Sequence, residues 1–313
     1  MTTRWELLRS RMRLPLIVSP MLRVSNPDLV VAACQAGVVG AFPTANARTP
    51  ERLSEWLAEI QSRLEGTESA PVCANLIIAQ PSRDDHVAAL LDHGIEMVIT
   101  SVGSPTPVVG PLHEAGVMIF ADVASIKHAH RAVEAGADGL VLLGAGAGGH
   151  TGWMNPFAFV RAVREFFDGP IVMSGGISDG TSLLAVQTLG CDLGYMGTRF
   201  IATRESGASD EYKGMLVSST ADDVLLTNAF TGLPASILIP AIVASGIDIA
   251  DLDESITPEE SKEIYGPGAA GVGPKRWTEL FSAGHSVSGV HDVPTVADLV
   301  DRIAKQYEGA QRG

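Results

Sequence analysis

From its start to about residue 200 the chain repeats one unit: a short apolar run, a Gly- or Ser-bearing turn, then a segment of helical period that closes near a glycine. The apolar runs are 14–20 (LPLIVSP), 37–42 (GVVGAF), 71–78 (PVCANLII), 95–101 (IEMVITS), 117–123 (VMIFADV), 138–144 (DGLVLLG), 170–176 (PIVMSGG) and 193–200 (LGYMGTRF). Unbroken Val/Ile/Leu runs, as opposed to alternating ones, belong to strands buried on both faces, as in a parallel sheet covered by helices. Eight such units predict an α/β fold, a closed (β/α)8 TIM barrel. An open doubly wound sheet would show fewer units and a GxGxxG turn after its first strand. Here that strand ends in Ser19-Pro20-Met21, which offers no phosphate cradle.

The intervening segments carry helix punctuation. Residues 26–36 open with Asn and have Pro27 in the first turn, 49–64 open with Thr-Pro, and 181–189 follow an Asp-Gly pair. EAGVMIF, EAGADGLVLL and TLGCDLGYMG each close a helix with glycine and enter a strand, as internal echoes of one unit. After residue 206 the pattern changes to a stretch richer in Ser, Thr, Gly and acid. We therefore expect a barrel over 1–206, a smaller substrate-side or lid domain over 207–287 inserted after the eighth strand, and a C-terminal segment, 288–313, whose amphipathic helix from Pro294 to about Gln306 packs back on the barrel. The apolar residues Phe230, Leu233, Ile237, Leu238, Ile239 and Ile242 fit either a pocket wall or the core of that second domain.

Composition narrows the function. With 36 acidic and 22 basic residues the formal charge is −14, a field that repels nucleic acid and anionic lipid surfaces. No stretch reaches the roughly 18 apolar residues of a membrane span, and no leader with a usable apolar core is evident, so the expected location is cytoplasmic. Cys34, Cys73 and Cys191 lie far apart in apolar surroundings and read as buried structural thiols. No histidine spacing suggests a metal site; the residues of the His128-x-His130 pair point in different directions on a helix.

In a barrel of this type the site is built at the C-terminal ends of the strands. Two adjacent ends are rich in small residues: Ser174, Gly175 and Gly176 after the seventh strand, Gly197 and Thr198 after the eighth. Glycines alone need only permit tight turns, but both turns in register match a phosphate site with exposed backbone N–H groups. The sixth strand runs into GAGAGGHTG (144–152), a small-residue loop presenting His150, and histidine as a residue type suits proton transfer near neutrality.

Taken together, Pro20-Met21, Asn75, AGGHTG, MSGGISDG, YMGTRFIATRES and FSAGHSVSGV, in that order along nearly the whole chain, resemble the nitronate monooxygenase (2-nitropropane dioxygenase) family. The resemblance implies a TIM barrel binding FMN non-covalently. Ser19, Pro20 and Met21 would line the flavin ring and Asn75 its polar edge. Gly144, Gly148 and Gly149 would flank the ring, and Ser174, Gly175, Gly176, Gly197 and Thr198 would bind the phosphate. His150 would be the catalytic histidine. Ser282 and His285 in FSAGHS would approach the substrate, although a polar loop explains His285 equally well. Glu205 and Ser206 match the family's motif without an assigned role. Lys275, Arg276 and Trp277 fit either a guide for an anionic ligand or a structural clasp.

The pattern departs from some relatives at Asp122, which stands where they carry a lysine beside the flavin pyrimidine. A carboxylate there would oppose an anionic reduced ring unless protonated, paired or turned away. The simpler reading is a strand-end residue that accepts backbone hydrogen bonds. The expected activity is oxidation of nitronates or nitroalkanes with O2 to a carbonyl compound and nitrite, the partners being a small-molecule substrate and O2. The alternative is an NAD(P)H-dependent reductase of quinones or enoyl thioesters, like the flavin-dependent type II enoyl-acyl-carrier-protein reductases of the same family. Acidic residues over 248–263 weigh against an acidic carrier protein. A non-enzymatic scaffold would not need the phosphate turns and His150. Homo-oligomerisation is left open by the sequence.

Overall fold

In the computed structural model, residues 3–265, 274 and 278–312 are described; Lys275, Arg276 and Trp277 lie outside them. Eleven strands run in chain order among the described residues. They are β1 (Leu16–Val18), β2 (Val39–Pro43), β3 (Val72–Ile77), β4 (Met97–Ser101), β5 (Met118–Val123), β6 (Gly139–Leu143), β7 (Gly149–His150), β8 (Ile171–Ser174), β9 (Leu193–Met196), β10 (Val224–Thr227) and β11 (Ala235–Leu238). The parallel strands β1–β6, β8 and β9 close into a barrel, β9 pairing with β1. Each of the eight apolar runs supplies one barrel strand.

Because successive strand residues point to opposite faces, each run feeds two cores. Ile17, Val39, Ala41, Cys73, Met97, Ile99, Phe120, Val141, Val172, Leu193 and Tyr195 fill the barrel interior. Their neighbours, such as Leu16, Val98, Leu140 and Ile171, face the surrounding helices. Trp5 and Leu8 of the N-terminal helix Arg4–Ser10 join the interior cluster, the Trp5 and Phe120 rings meeting edge to face at 6.1 Å. All three cysteines are buried free thiols, and burial pushes Cys34 and Cys191 up to about 12.

The helix punctuation acts as its chemistry requires. Asn26, Thr49 and Asp179 cap the helices Pro27–Gln35, Pro50–Leu64 and Gly180–Leu189 through side-chain acceptors. The glycines ending the echoed units, Gly116, Gly136 and Gly190, adopt positive φ, the left-handed conformation that lets a helix stop and turn into a strand.

Two boundaries differ from the sequence reading. The run at 193–200 leaves strand geometry after Met196, because the Gly197 carbonyl accepts the N–H groups of Phe200 and Ile201 and starts the short helix Thr198–Ile201. The last helix runs from Val296 to Arg312, past Gln306. Glu205 accepts the Val296 N–H at 3.0 Å, which gives this residue of the eighth motif a capping role. The helix then lies along Gly180–Leu189, where the Gly180 N–H donates to Gln306 Oε1.

Beyond the barrel, β10 and β11 form an antiparallel hairpin, and β7 adds to it from the barrel's own loop in the order β10-β11-β7. Phe230, Ile237 and Ile242 are buried in the core of this second unit and Leu238 in the main cluster, whereas Leu233 is exposed. Most of that apolar set is therefore core, and Leu233 alone of it borders the cavity described next. Among the described residues no helix is long and apolar enough to cross a membrane.

Candidate active site

A cavity of about 800 Å³ opens at the C-terminal end of the barrel. Its floor follows from strand parity. Extending the inward-facing series of each strand by one step reaches Ser19, Pro43, Asn75, Ser101, Asp122, Leu143, Ser174 and Gly197, and all eight line the cavity. The apolar interior ends at Tyr195, one layer below, and the next layer is largely polar.

Asn75 is fixed by its neighbours: Nδ2 donates to the Ile99 carbonyl and to Ser101 Oγ, both at 3.2 Å, while Ser101 Oγ lies 3.3 Å from Asn75 Oδ1. Asp122 is different. Its Oδ1 is buried and has no hydrogen-bond partner among the described residues. The expectation that Asp122 bonds backbone donors is thus not met at this oxygen; the end of β5 places the carboxyl on the inward face, in the cavity lining. Burial pushes this carboxyl from the ordinary aspartate range up to about 7.

The two turns expected to hold a phosphate lie side by side, as β8 and β9 are neighbours. Gly175 and Gly176 adopt φ of 114° and 75°, backbone that favours glycine. Among the described residues, the N–H groups of Gly175, Gly176 and Gly197 donate to no protein acceptor. A Cβ on Gly176 would meet nothing within 4 Å, and one on Gly197 would come within 3.4 Å of Met21 Sδ and Ser19 Cβ. The ends of β1, β8 and β9 thus converge on one corner of the cavity, floored by unpaired donors. Such a corner fits an anionic oxygen cluster.

The loop after β6 forms the adjoining wall, against the Gly175 turn. Gly146, Gly148, Gly149, His150 and Trp153 line the cavity. The glycines serve protein packing as much as any ligand. A Cβ on Gly148 would come within 2.7 Å of the Gly284 nitrogen, and one on Gly284 within 2.5 Å of the Gly146 carbonyl oxygen. Gly144 lies outside the cavity lining and anchors the loop: its N–H donates to the Ser174 carbonyl, and Thr151 Oγ1 donates to its carbonyl at 2.9 Å. His150 is exposed at the lip, held by β7, whose backbone pairs with β11 through Ala235.

The FSAGHS segment threads between this loop and β9. The Gly284 N–H donates to Thr198 Oγ1 at 2.9 Å and the His285 N–H to the Gly146 carbonyl at 2.9 Å. Phe281, Ser282 and Ser286 line the cavity; His285 packs against Gly146 and lies outside the lining. Tyr212 stacks on Phe281 with ring centroids 4.3 Å apart and donates its hydroxyl to the Ser282 carbonyl.

Sequence reasoning missed Ser101, Pro43, Leu143, Tyr212 and Tyr195 of the lining. Parity along the strands would have found all but Tyr212, whose position depends on the second unit folding back. It also missed Leu22, Val102 and Trp153, which are exposed around the cavity mouth with the pocket-wall candidate Leu233, Trp153 by 77%. His128 and Arg131, on the helix Ile126–Glu134, border the same cavity.

The closed barrel with a cavity at the C-terminal ends of its strands defines a class, the TIM-barrel proteins. Residues 67–306 match the family described as Nitronate monooxygenase, and the chain belongs to this family of flavin-dependent oxidoreductases. One relative is a (3aS,4S,5R,7aS)-5-hydroxy-7a-methyl-1-oxo-octahydro-1H-indene-4-carboxyl-CoA dehydrogenase of Mycobacterium tuberculosis. It is 25% identical over 73% of this chain and 64% of the relative, so the chain spans under two thirds of that protein's length. A nitronate monooxygenase of Paraburkholderia phytofirmans is 25% identical over 75% of this chain and 76% of its own. Among solved structures, FabK from Thermotoga maritima superposes with a TM-score of 0.84 at 26% identity, covering 100% of this chain and 98% of that one.

Proposed function

We propose that the chain is an FMN-dependent enzyme that oxidises nitronates or nitroalkanes with O2 to a carbonyl compound and nitrite, His150 being its base. The observation that carries this reading is the corner of unpaired N–H groups at Gly175, Gly176 and Gly197, which borders the same cavity as the lip that carries His150. Membership of the family and the likeness to the Paraburkholderia nitronate monooxygenase support it.

The residues fit FMN. The terminal phosphate suits the N–H groups of Gly175, Gly176 and Gly197 with the Ser174 and Thr198 side chains, where donors are oriented before the ligand arrives. Ser19, Pro20, Met21, Asn75 and Asp122 border the floor on which a planar ring would lie, and Gly148 and Gly149 border its other side. Gly144 would act through the loop it anchors. A bound FMN would supply an acceptor for the substrate's electrons and a donor to O2.

The chain supplies the remaining steps. His150 takes the proton on the carbon bearing the nitro group of a neutral nitroalkane; a nitronate arrives without that proton and does not need the base. Leu22, Val102, Trp153 and Leu233 give an apolar mouth that favours alkyl substituents and limits water at the lip. Ser282 offers a polar contact to substrate from the second unit, and His285 positions the Gly146 backbone.

A second reading, a flavin reductase or dehydrogenase that exchanges electrons with NAD(P)H, quinones or enoyl thioesters, is favoured by a different observation. Arg131 and His128 border the cavity and suit the phosphates of a nucleotide or thioester carrier. The carboxyl-CoA dehydrogenase among the relatives points the same way. The direct test is purification and assay in air. A yellow protein that releases FMN on denaturation and forms nitrite from propyl nitronate meets the proposal; a protein that takes up no FMN contradicts it.

A further inference from the structure

Asp122 is a cavity-lining carboxyl with a buried side-chain oxygen that no donor among the described residues meets. Asn75 and Ser101 satisfy each other, and the Ser174 carbonyl is taken by Gly144. Asp122 Oδ1 is buried and unpartnered among the described residues. The groups that face it are not bases held against it. Tyr195 of β9 and the Cys73 thiol of β3 lie in the interior beneath; both are coupled to Asp122, and burial raises both above their ordinary values. On its own side of the barrel, Lys127, His128 and Arg131 of the helix after β5 are exposed, and His150 stands at the lip. Burial raises the Asp122 carboxyl, and no cation offsets it. A buried acceptor with nothing to accept from is stable as a neutral acid, and a neutral acid carries an O–H that can be aimed at a ligand.

We propose that Asp122 acts as a neutral carboxylic acid that donates a hydrogen bond to the polar edge of the bound flavin, making flavin reduction favourable on the acid side and less so once Asp122 ionises. This rests on the flavin reading above. The chain would thereby use a titratable donor at a position where a lysine would give a permanent cation. As the neutral acid, Asp122 meets with its O–H the negative charge that a transferred electron pair adds to the ring. As the carboxylate, Asp122 has no proton to offer, and its own charge opposes the added one. The electrons come from the reducing substrate, and Asp122 keeps its proton in the hydrogen bond, so no further reactant is required.

The test is a spectroelectrochemical titration of the flavin-loaded wild type and of Asp122→Asn between about pH 5 and about pH 9. The amide of Asp122→Asn donates a hydrogen bond at every pH. The expected result is two curves that run together on the acid side and separate above neutrality, the wild-type potential falling more steeply. Parallel curves throughout would overturn the proposal. Should Asp122→Asn fail to fold or to retain flavin, infrared difference spectra of the wild type on reduction carry the test. A neutral carboxyl band that shifts when the flavin is reduced supports the assignment, and no such band refutes it. A wild-type protein that neither carries nor takes up flavin would contradict the functional reading itself, an outcome separate from parallel potentials in a yellow protein.

Discussion

The backbone of His150 pairs with that of Ala235, so the histidine at the lip of the cavity sits on a strand that belongs to a barrel loop by sequence and to the second unit by hydrogen bonding. The ladder fixes the main chain there. Side-chain removal should therefore leave the wall standing. We expect His150→Ala to retain the fold and the flavin and to lose turnover of neutral nitroalkanes by roughly 10²- to 10⁴-fold, with much less effect on pre-formed nitronates. Paired assays on a nitroalkane and its nitronate check this; equal losses on both would remove His150 from proton abstraction.

Gly284 lies where its own backbone meets that of residues 146–148. An alanine there would bring Cβ within 2.5 Å of the Gly146 oxygen and 2.8 Å of the Gly148 nitrogen. Backbone cannot step aside as a flexible side chain can, so Gly284→Ala should cost about 1–3 kcal/mol and loosen the loop carrying His150. Thermal melts with and without flavin would read this as a lowered midpoint in both states. An unchanged midpoint would mean that the segment is not wedged against the loop.

The corner between β8 and β9 makes an opposite demand. Gly197 has room for a methyl group in ordinary contact with Met21 and Ser19, but not for a larger side chain. Gly197→Ala should remain yellow, whereas Gly197→Leu should fold and be purified colourless. Full flavin occupancy in Gly197→Leu, measured by absorbance after denaturation, would count against the phosphate assignment.

Arg199 is 3% exposed and donates to Asp292 Oδ1 at 2.6 Å and to the Asp292 carbonyl at 3.3 Å. Arg302 shares the same carboxylate, so loss of Arg199 leaves Asp292 paired but removes donors from a buried place. Arg199→Gln should destabilise the fold by about 1–3 kcal/mol, less than a fully buried pair would lose, because Asp292 itself is half exposed. Denaturant titration gives the number, and no change would mean that the pair is as replaceable as a surface one.

The Asp122 carboxyl also predicts how stability varies with pH in the flavin-free protein. Its folded value, about 7, lies above the unfolded one, so its contribution is complete below about pH 4 and is lost as pH rises through about 7. The wild type should therefore lose stability relative to Asp122→Asn from mildly acidic to mildly alkaline pH, by on the order of a few kcal/mol. Melting midpoints that stay parallel over that range would mean that Asp122 is hydrated in the folded state.

Much of this was legible in the residues. The eight apolar runs gave the barrel because each had to be buried on both faces, and Asn26-Pro27 and Thr49-Pro50 gave helix starts because they are local chemistry. The turns at Gly175 and Gly197 stood out because glycine at the ends of adjacent strands is a local signal with a spatial meaning. What was hidden depended on distance in sequence. No local pattern shows that Gly149 and His150 join β11, that Gly148 needs its glycine for Gly284, or that Tyr212 reaches Ser282. The bonding of Asp122 also could not be read, since whether a strand-end carboxyl finds donors depends on how the barrel closes around it.

The central claim, a flavin site serving nitronate oxidation, is tested most directly by mixing the yellow protein anaerobically with propyl nitronate, and separately with NADH and NADPH, while following loss of the flavin's visible absorbance. The account predicts rapid bleaching by the nitronate and none by the pyridine nucleotides. Rapid bleaching by NADH or NADPH with an inert nitronate would contradict it and assign the same cavity to a reductase.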